Sequence, residues 1–347
     1  MSSLKIINSG LLTTIQDYGR VGYGQYGVPA AGVMDRLAMQ LANILVDNDR
    51  YEAVLEMTMM GLSFKADGNM AIAITGADMF PTVNGKRVNL YETIYLNNGD
   101  ILECSYAQSG CRAYLAVSGG FDLPKVMGSK STYLRAKIGG VNGNKIQKGD
   151  ILKINPKNGK EYFGIRKIPE DMIPRYKNEI TARVILGPEV DYFTKNGMET
   201  FLSSEYVLTD QCDRMGYRLE GPRIEHEKGS DIISNGINFG AIQIPGHGCP
   251  IIMMADRQTT GGYTKIANVI TVDLPFLAQL KPGDRVKFEK IDIEEAQNLI
   301  KKQEKNLLNL INDFKTSLIN TVGTMRNFKI NVNGKKYNLS VQEIKES

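Results

Sequence analysis

The stretch GRVGYGQYGVPAAGVMDR, residues 19–36, decides between two folds. Gly22, Gly24 and Gly27 stand at the spacing G-x-G-x-x-G, which holds a dinucleotide's phosphates when a strand precedes it, a helix opens from it and βαβ alternation surrounds it. Only the strand is in place: LLTTIQD, residues 11–17, is rich in β-branched residues and ends in a Gly-containing turn. The apolar helical pattern starts late, at Met34, and continues through Leu37, Leu41, Ile44 and Leu45, so Pro29 to Gly32 separate the third glycine from the helix. Asp47 and Asp49 lie near the distance of a ribose-binding acid but end that helix rather than a second strand. The glycines are therefore expected to shape a bend.

Outward from this bend the chain reads as strands. MAIAITGAD, RAYLAVSGGF, ARVILG, GAIQIPG, PIIMMAD and VITVDL are short β-branched or alternating runs separated by Gly, Asn, Asp and Pro. Helices are few: residues 34–46, a segment near 192–203 and a long one near 292–320. A mainly β architecture of barrels or sandwiches follows, rather than a doubly wound sheet. One phrase recurs as NNGDILEC (97–104), QKGDILKI (147–154) and KPGDRVKF (281–288), each a Gly-Asp turn leading into an alternating strand. Gly-Asp turns are common in β proteins; here they are read as closing elements of barrel units, with a boundary in KNGKEYFGIRKIPEDMIPRYKNE, residues 157–179. The expected organisation is a first barrel region over 1–165, a second over 166–291, an amphipathic helix over 292–322 and a hairpin over 326–347. In the helix Ala296, Ile300, Leu307, Ile311, Phe314 and Leu318 step by three or four, with Gln303 interrupting the series. The hairpin FKINVNGKKYNLSV turns at Asn333-Gly334, the pair a type I′ turn requires.

Composition narrows the function classes. Of 347 residues, 42 are Lys or Arg and 38 Asp or Glu, so a net charge of +4 gives no electrostatic case for nucleic acid and leaves an anionic small substrate open. No apolar run is long enough to span a bilayer, and MSSLKIINSG lacks a signal-peptide pattern, so a cytoplasmic location without membrane contact is expected. Cys104, Cys111, Cys212 and Cys249 form no C-x-x-C pair and are expected as reduced thiols. With only His226 and His247 a His-rich metal centre is excluded and no metal is expected; His247 and Cys249 in GHGCP are a thiol-nucleophile candidate or a loop His beside a packed Cys.

The wording of several blocks carries more. TTIQDYGRVGYGQYGVPAAGVMDRLAMQLANILVDN resembles the N-terminal signature of the biotin-dependent carboxyltransferase family, which includes KipA, the second half of the urea amidolyase carboxyltransferase domain and one of the subunits of bacterial 5-oxoprolinase. CRAYLAVSGGFDLPKVMGSKSTYLRAKIGG, DRMGYRLEGP and the run GAIQIPGHGCPIIMMADRQTTGGYTKIANVITVDLPFLAQLKPGDRVKF resemble the same family, so the likeness extends from about Leu4 to Glu295. The resemblance implies two cyclophilin-like β-barrel domains, and a KipI-like partner. It also implies an ATP-dependent opening of 5-oxo-L-proline to L-glutamate, shared with a third, LamB/YcsF-like subunit. ATP is then a cofactor of the complex, with no Walker A sequence on this chain. Two alternatives come with the family: a KipA-like antagonist of a KipI-type kinase inhibitor, and a carboxyltransferase component of a biotin enzyme. The C-terminal hairpin resembles the opening strands of a biotin carrier domain but lacks a biotinylation site, so no biotin is expected on this chain; the hairpin is either a remnant or keeps a docking role in a biotin-linked assembly or a homo-oligomer.

Candidate site residues follow. ADRQTTGGYTK places Asp256, Arg257, Gln258, Thr259 and Thr260 between an apolar strand and an expected Gly-Gly turn, where binding groups concentrate. Arg257 is a carboxylate grip, Asp256 a base or the group orienting Arg257, unless the two merely cap a barrel end. Lys265 is a stabiliser of negative charge or a solvated surface lysine. Arg20 and Asp35 are substrate-binding candidates through the resemblance, Asp35 being equally explained as a helix cap. Arg214 and Tyr217, in DRMGYRLEGP, would hold a planar ring or brace the second barrel. Glu56 and Arg135 are read as family residues or as a buried pair.

Overall fold

Alternating apolar residues in the first half build two sheets that face one another. Leu4, Ile6, Phe64, Leu102 and Leu152 come from one sheet and Ile15, Leu55, Met57, Ile72, Ile74, Leu115 and Val117 from the other, all buried in a single core. Each such side chain contributes about 1.5–3 kcal/mol by leaving water. The first sheet orders its strands as Ile151–Lys153, Ser3–Asn8, Ser63–Asp67, Ile101–Glu103, Thr82–Val83 and Lys86–Arg87. The second runs Leu12–Gln16, Val54–Thr58, Ser109–Val117, Met70–Asp78 and Thr93–Leu96, antiparallel throughout. The computed structural model describes residues 2–156, 164–319, 326–332 and 335–341.

The third sheet closes on itself. Glu179–Leu186, Arg285–Lys290, Glu205–Cys212, Gly216–Glu220, Ile251–Met253, Ala241–Ile244 and Thr260–Val269 follow in order, and Val184 opposite Val269 completes the ring. Closure removes the exposed strand edges that an open sheet must otherwise protect. Asp231–Gly236 is added outside the ring, on Thr260–Val269. Met34, from the loop that follows the glycine bend, is fully buried in the ring's core beside Phe201, Tyr217 and Leu277, so the first half is keyed into the second.

The recurring Gly-Asp phrase folds identically three times. In each, the Asp carboxylate accepts from the backbone N–H three residues earlier: Asp100 from Asn97, Asp150 from Gln147 and Asp284 from Lys281, at 2.8, 2.8 and 3.0 Å. The Gly before it has φ of +94°, +92° or +89°, which a side chain would strain. The Gly N–H and the Asp carbonyl then pair with a single residue of the adjoining strand, respectively Ala66, Ile6 and Leu208.

The helices are α1 (Arg36–Leu45), α2 (Lys195–Ser203), α3 (Leu274–Leu277) and α4 (Ile293–Ile319). VITVDL, expected as a strand, is one only at Val269; Asp273 instead grips Arg183 with both carboxylate oxygens and α3 begins directly after it, with Pro275 in its first turn. The expected Gly-Gly turn is also displaced: Gly261 and Gly262 lie within the strand Thr260–Val269, where a Cβ on Gly261 would collide with Ile237. Ile168 and Arg166 hydrogen-bond to Tyr91 and Thr93, so this part of the expected boundary segment stays with the first half. Two compact units are present, one ending at Ile300 and one starting at Lys301, so the division falls inside α4. α4 buries Ala296, Leu307 and Leu310. Arg326–Val332 and Lys335–Val341 pair as an antiparallel hairpin, and Asn333-Gly334 lies outside the described residues.

Candidate functional site at the seam of the two halves

The second sheet turns Glu56, Arg112 and Tyr114 away from its core, towards α1 and the closed ring. Glu56 opposes Thr14 on one side and Tyr114 on the other. Its carboxylate accepts the Met34 N–H at 2.8 Å, while the Asp35 N–H donates to the Tyr114 hydroxyl at 2.9 Å. Thr75 Oγ1 donates to the Ala38 carbonyl at 2.7 Å and ties α1 to the same face. The segment entering α1 is thus held by polar groups that project from sheet strands.

Arg214 crosses from the closed ring into this layer. Its Nε and Nη2 form a fork on Asp256 at 3.0 and 2.9 Å, Nη1 pairs with Glu56, and Nη2 also donates to the Gly32 carbonyl at 2.5 Å. All three side chains are nearly inaccessible to solvent. Burial opposes the Arg214 charge, but the Asp256 and Glu56 carboxylates outweigh it and hold the guanidinium protonated.

A second polar group lies alongside. Asp35 caps α1, its Oδ1 accepting the Ala38 N–H at 2.8 Å, and Oδ2 accepts from the Tyr176 hydroxyl and Gln279 Nε2, both at 2.9 Å. Gln279 Oε1 accepts the N–H groups of Cys111 and Arg112 at 3.0 and 2.8 Å, so a side chain of the second half satisfies an irregular stretch of a first-half strand. Arg112 in return donates to the Tyr217 hydroxyl and the Ala278 carbonyl, both at 2.6 Å. Burial pushes the Asp35 carboxyl up to about 6, against the three hydrogen bonds that favour its charge.

Arg36 and Arg257, half-buried at the rim of the seam, and Arg20, fully buried beside it, have no carboxylate at ion-pair distance among the described residues. Arg36 lies 4.3 Å over the Tyr18 ring, and the Arg36 and Arg257 guanidinium carbons are 5.5 and 5.6 Å from the centre of the Phe239 ring. Arg257 donates only to the carbonyls of Ile237 and Met254, at 3.0 and 3.3 Å. Burial, and next the like charge of Arg36, bring its basicity down to about 10. Two half-buried cations, each within 5.6 Å of the same ring centre, repel each other, which an anion between them would relieve.

The structure separates the candidate residues into groups. Asp256, Arg214, Asp35 and Tyr217 lie in the buried seam, and Arg257 and Arg20 beside it. Thr259 is half-buried against the glycine bend, 3.9 Å from where a Cβ on Gly24 would lie, with Gln258 and Thr260 exposed on either side. Lys265 is elsewhere: its ammonium pairs with Glu189 at 3.2 Å and with Asn235, none of them a seam residue. Asp256 orients Arg214 rather than the adjacent Arg257, and Glu56 pairs with Arg214 rather than Arg135, which is exposed with Nη1 facing Met215 Sδ. His247 Nδ1 accepts the Cys249 N–H at 3.1 Å, and the Cys249 sulfur faces the Gly221 carbonyl, an arrangement that does not activate a thiol. Both line a groove of about 280 Å³ with Arg218 and Glu220. The glycine bend is an exposed turn with one 3-10 turn at Gly24–Tyr26, and α1 begins nine residues after Gly27, so no helix N-terminus faces it. Among the described residues no three His, Cys, Asp or Glu side chains gather as metal ligands, and no helix is long and apolar enough to cross a membrane.

Arg112, Gln279, Arg36 and Tyr176 were not singled out from sequence. Two of them carried a signal: Arg112 is a charge inside the apolar run CRAYLAV, and Gln279 a polar residue inside LPFLAQL.

The comparisons with known proteins fit this architecture. Residues 26–290 match the model of the family described as carboxyltransferase domain, subdomain A and B. The chain is 38% identical over 293 residues to a 5-oxoprolinase subunit of Haemophilus influenzae, covering 84% of this chain and 92% of that one. It is 33% identical over 319 residues to the urea amidolyase of Saccharomyces cerevisiae, covering 87% of this chain but 17% of the yeast protein. The crystal structure of the K. lactis urea amidolyase superposes with a TM-score of 0.84 at 29% identity, over 89% of this chain and 20% of that one. Because the family match runs through both sheet systems and the polar seam that joins them, the chain belongs to the carboxyltransferase domain family, subdomains A and B.

Proposed function

We propose that this chain is the subunit of an ATP-dependent 5-oxoprolinase complex that holds the substrate acid, acting with KipI-like and LamB/YcsF-like subunits to open 5-oxo-L-proline to L-glutamate. The observation that carries this reading is the Arg36–Arg257 pair at the Phe239 ring, two cations with no carboxylate at ion-pair distance among the described residues. A substrate carboxylate between them gains charge-assisted hydrogen bonds and removes their repulsion. Relatives that are themselves named as 5-oxoprolinase subunits support the same assignment. Lactam opening adds water across the C–N bond, with the ring nitrogen leaving as the amine. Resonance makes that bond resistant; ATP phosphorylates the amide oxygen so that water adds and the amine leaves, and a second water releases the phosphoryl group as inorganic phosphate. The glycine bend does not open a helix, and no cradle for that phosphate is assigned to this chain. Its own residues bind and orient: Arg257 and Arg36 grip the carboxylate, while Asp256 and Glu56 fix Arg214 and with it the Gly32 carbonyl.

A specific observation favours one other reading. The hairpin at 326–341 and the likeness to urea amidolyase fit a carboxyltransferase component that receives CO2 from a biotin carrier. The deciding measurement is ATP-dependent glutamate release from 5-oxoproline by the three subunits together and with this one left out. Unchanged release on omission discards the first reading. Arg257→Ala is expected to abolish turnover while complex formation, followed by co-purification, persists. Full activity in that variant removes Arg257 from the site.

A further inference from the structure

Four buried side-chain polar atoms without a hydrogen-bond partner among the described residues belong to three residues in contact with one short piece of chain: Gln16 Oε1, Arg20 Nε and Nη1, and Thr132 Oγ1. All three residues are at most 1% exposed. Arg20 Nη2 donates to the Ser131 carbonyl, Gln16 Nε2 donates to the Thr132 carbonyl at 3.0 Å, and the Thr132 N–H donates to the Ile15 carbonyl at 2.8 Å. A carbonyl oxygen can only accept, so the Gln16 amide is fixed with its nitrogen on Thr132 and its oxygen turned elsewhere. Gln16 lies on the same face of its strand as Thr14, which is paired with Glu56, and Arg20, buried, feels the charge of Asp17 and, less strongly, of Asp256. The three residues therefore belong to the seam side of the second sheet. Gly139 and Gly140 pass directly over Arg20 and Thr132, where a Cβ on either would collide with those side chains.

Unsatisfied buried donors and acceptors are costly, and four together call for a partner with matching groups. The set offers two N–H donors from a cation, one amide oxygen that only accepts and one hydroxyl that does either. A carboxylate or phosphate has acceptors alone and would face the Gln16 oxygen unfavourably. An amide edge, with its N–H beside its C=O, matches both kinds of group.

We propose that Gln16, Arg20 and Thr132 read the amide edge of the substrate, Arg20 donating to the carbonyl oxygen and Gln16 Oε1 accepting from the N–H, with the Thr132 hydroxyl beside them. This rests on the reading above, in which the ligand is a lactam acid whose carboxylate lies with Arg36 and Arg257. Arg20 then also favours negative charge that builds on the carbonyl oxygen during ring opening.

The test compares binding of 5-oxo-L-proline with its γ-lactone acid, which is isosteric but has a ring oxygen in place of the N–H. Full-length chain is used, alone and with its partner subunits, by competition calorimetry. The wild type is expected to prefer the lactam by roughly ten-fold or more, and Gln16→Met to bring that ratio close to unity. Arg20→Met is expected to weaken both acids together by roughly ten- to a hundred-fold. A ratio is insensitive to the fraction of inactive protein; where Gln16→Met does not fold, the near-isosteric Thr132→Val serves, with a several-fold loss for the lactam expected. A wild-type ratio in Gln16→Met, or unchanged lactam affinity in Thr132→Val, overturns the amide assignment and leaves the functional reading standing. Absence of 5-oxoproline binding to the wild-type chain in every assembly overturns the reading and this assignment with it.

Discussion

Arg214 has two carboxylates and a carbonyl around one buried guanidinium, and the charges do not cancel in number. Removing the cation leaves Asp256 and Glu56 facing each other out of water, so the loss exceeds that of the individual hydrogen bonds. Arg214→Met is expected to destabilise the fold by about 3–5 kcal/mol, read as a shift in the urea unfolding midpoint. Arg214→Lys keeps the charge yet cannot fork onto Asp256, and is expected to fall between the two. A midpoint unchanged in Arg214→Met would show that the triad contributes nothing net. Both Arg214 and Asp256 were legible in the sequence, Asp256 at the exit of an apolar strand and Arg214 within DRMGYRLEGP, but their pairing was not. Adjacent residues such as Asp256 and Arg257 leave the backbone in different directions, whereas Arg214, 42 positions away, arrives beside Asp256 through strand pairing. Glu56 and Arg135, read as a pair because each stands inside a family block, do not meet either: Glu56 pairs with Arg214.

Among the elements, the Gly-Asp turn is the one whose sequence says nearly everything about its structure. Its information is local: a residue at positive φ, then a carboxylate that reaches back three positions, so neither step depends on the rest of the fold. Replacing the carboxylate tests this directly. Asp150→Ala removes one partly exposed hydrogen bond and is expected to cost about 1 kcal/mol, and Asp100→Ala, which also loses the bond from Asn84 Nδ2, about 1–2 kcal/mol. Asp284 is buried and also accepts from the Lys281 ammonium at 3.0 Å, so Asp284→Ala is expected to cost more, about 2–3 kcal/mol, in the same unfolding measurement. Equal losses at the three positions would mean that burial does not set the contribution. VITVDL shows the opposite case. Its β-branched run is a good strand by propensity, but Asp273 is claimed by Arg183, 90 positions away, and Pro275 starts a helical turn; no local reading contains that contact. Gly261-Gly262 failed similarly, since close approach to Ile237 calls for glycine as strongly as a turn does.

At the scale of the molecule the question is what keeps a two-sheet body and a closed ring in one register. Apolar contact alone is tolerant of sliding, and the single key residue Met34 does not specify an angle. The polar seam does, because Gln279 satisfies two strand N–H groups and Asp35 joins α1, Tyr176 and Gln279 at once. That dependence makes the joint sensitive to pH. Burial raises the Asp35 carboxyl from an ordinary 3.8 to about 6, with the Glu56 charge adding to the rise and the hydroxyl of Tyr176 opposing it. Between about pH 4 and about pH 6 the folded chain therefore holds a proton that the unfolded chain has released, and the stability this group contributes falls as pH rises through that window. Asn at position 35 still caps α1 and cannot ionise. Asp35→Asn is accordingly expected to lose this slope: relative to wild type it gains up to about 3 kcal/mol between about pH 4 and about pH 7, from unfolding curves measured at both ends. Parallel pH profiles for the two proteins would mean that Asp35 is ionised in the folded chain throughout, and that its hydrogen bonds from Ala38, Gln279 and Tyr176 outweigh the cost of burying its charge.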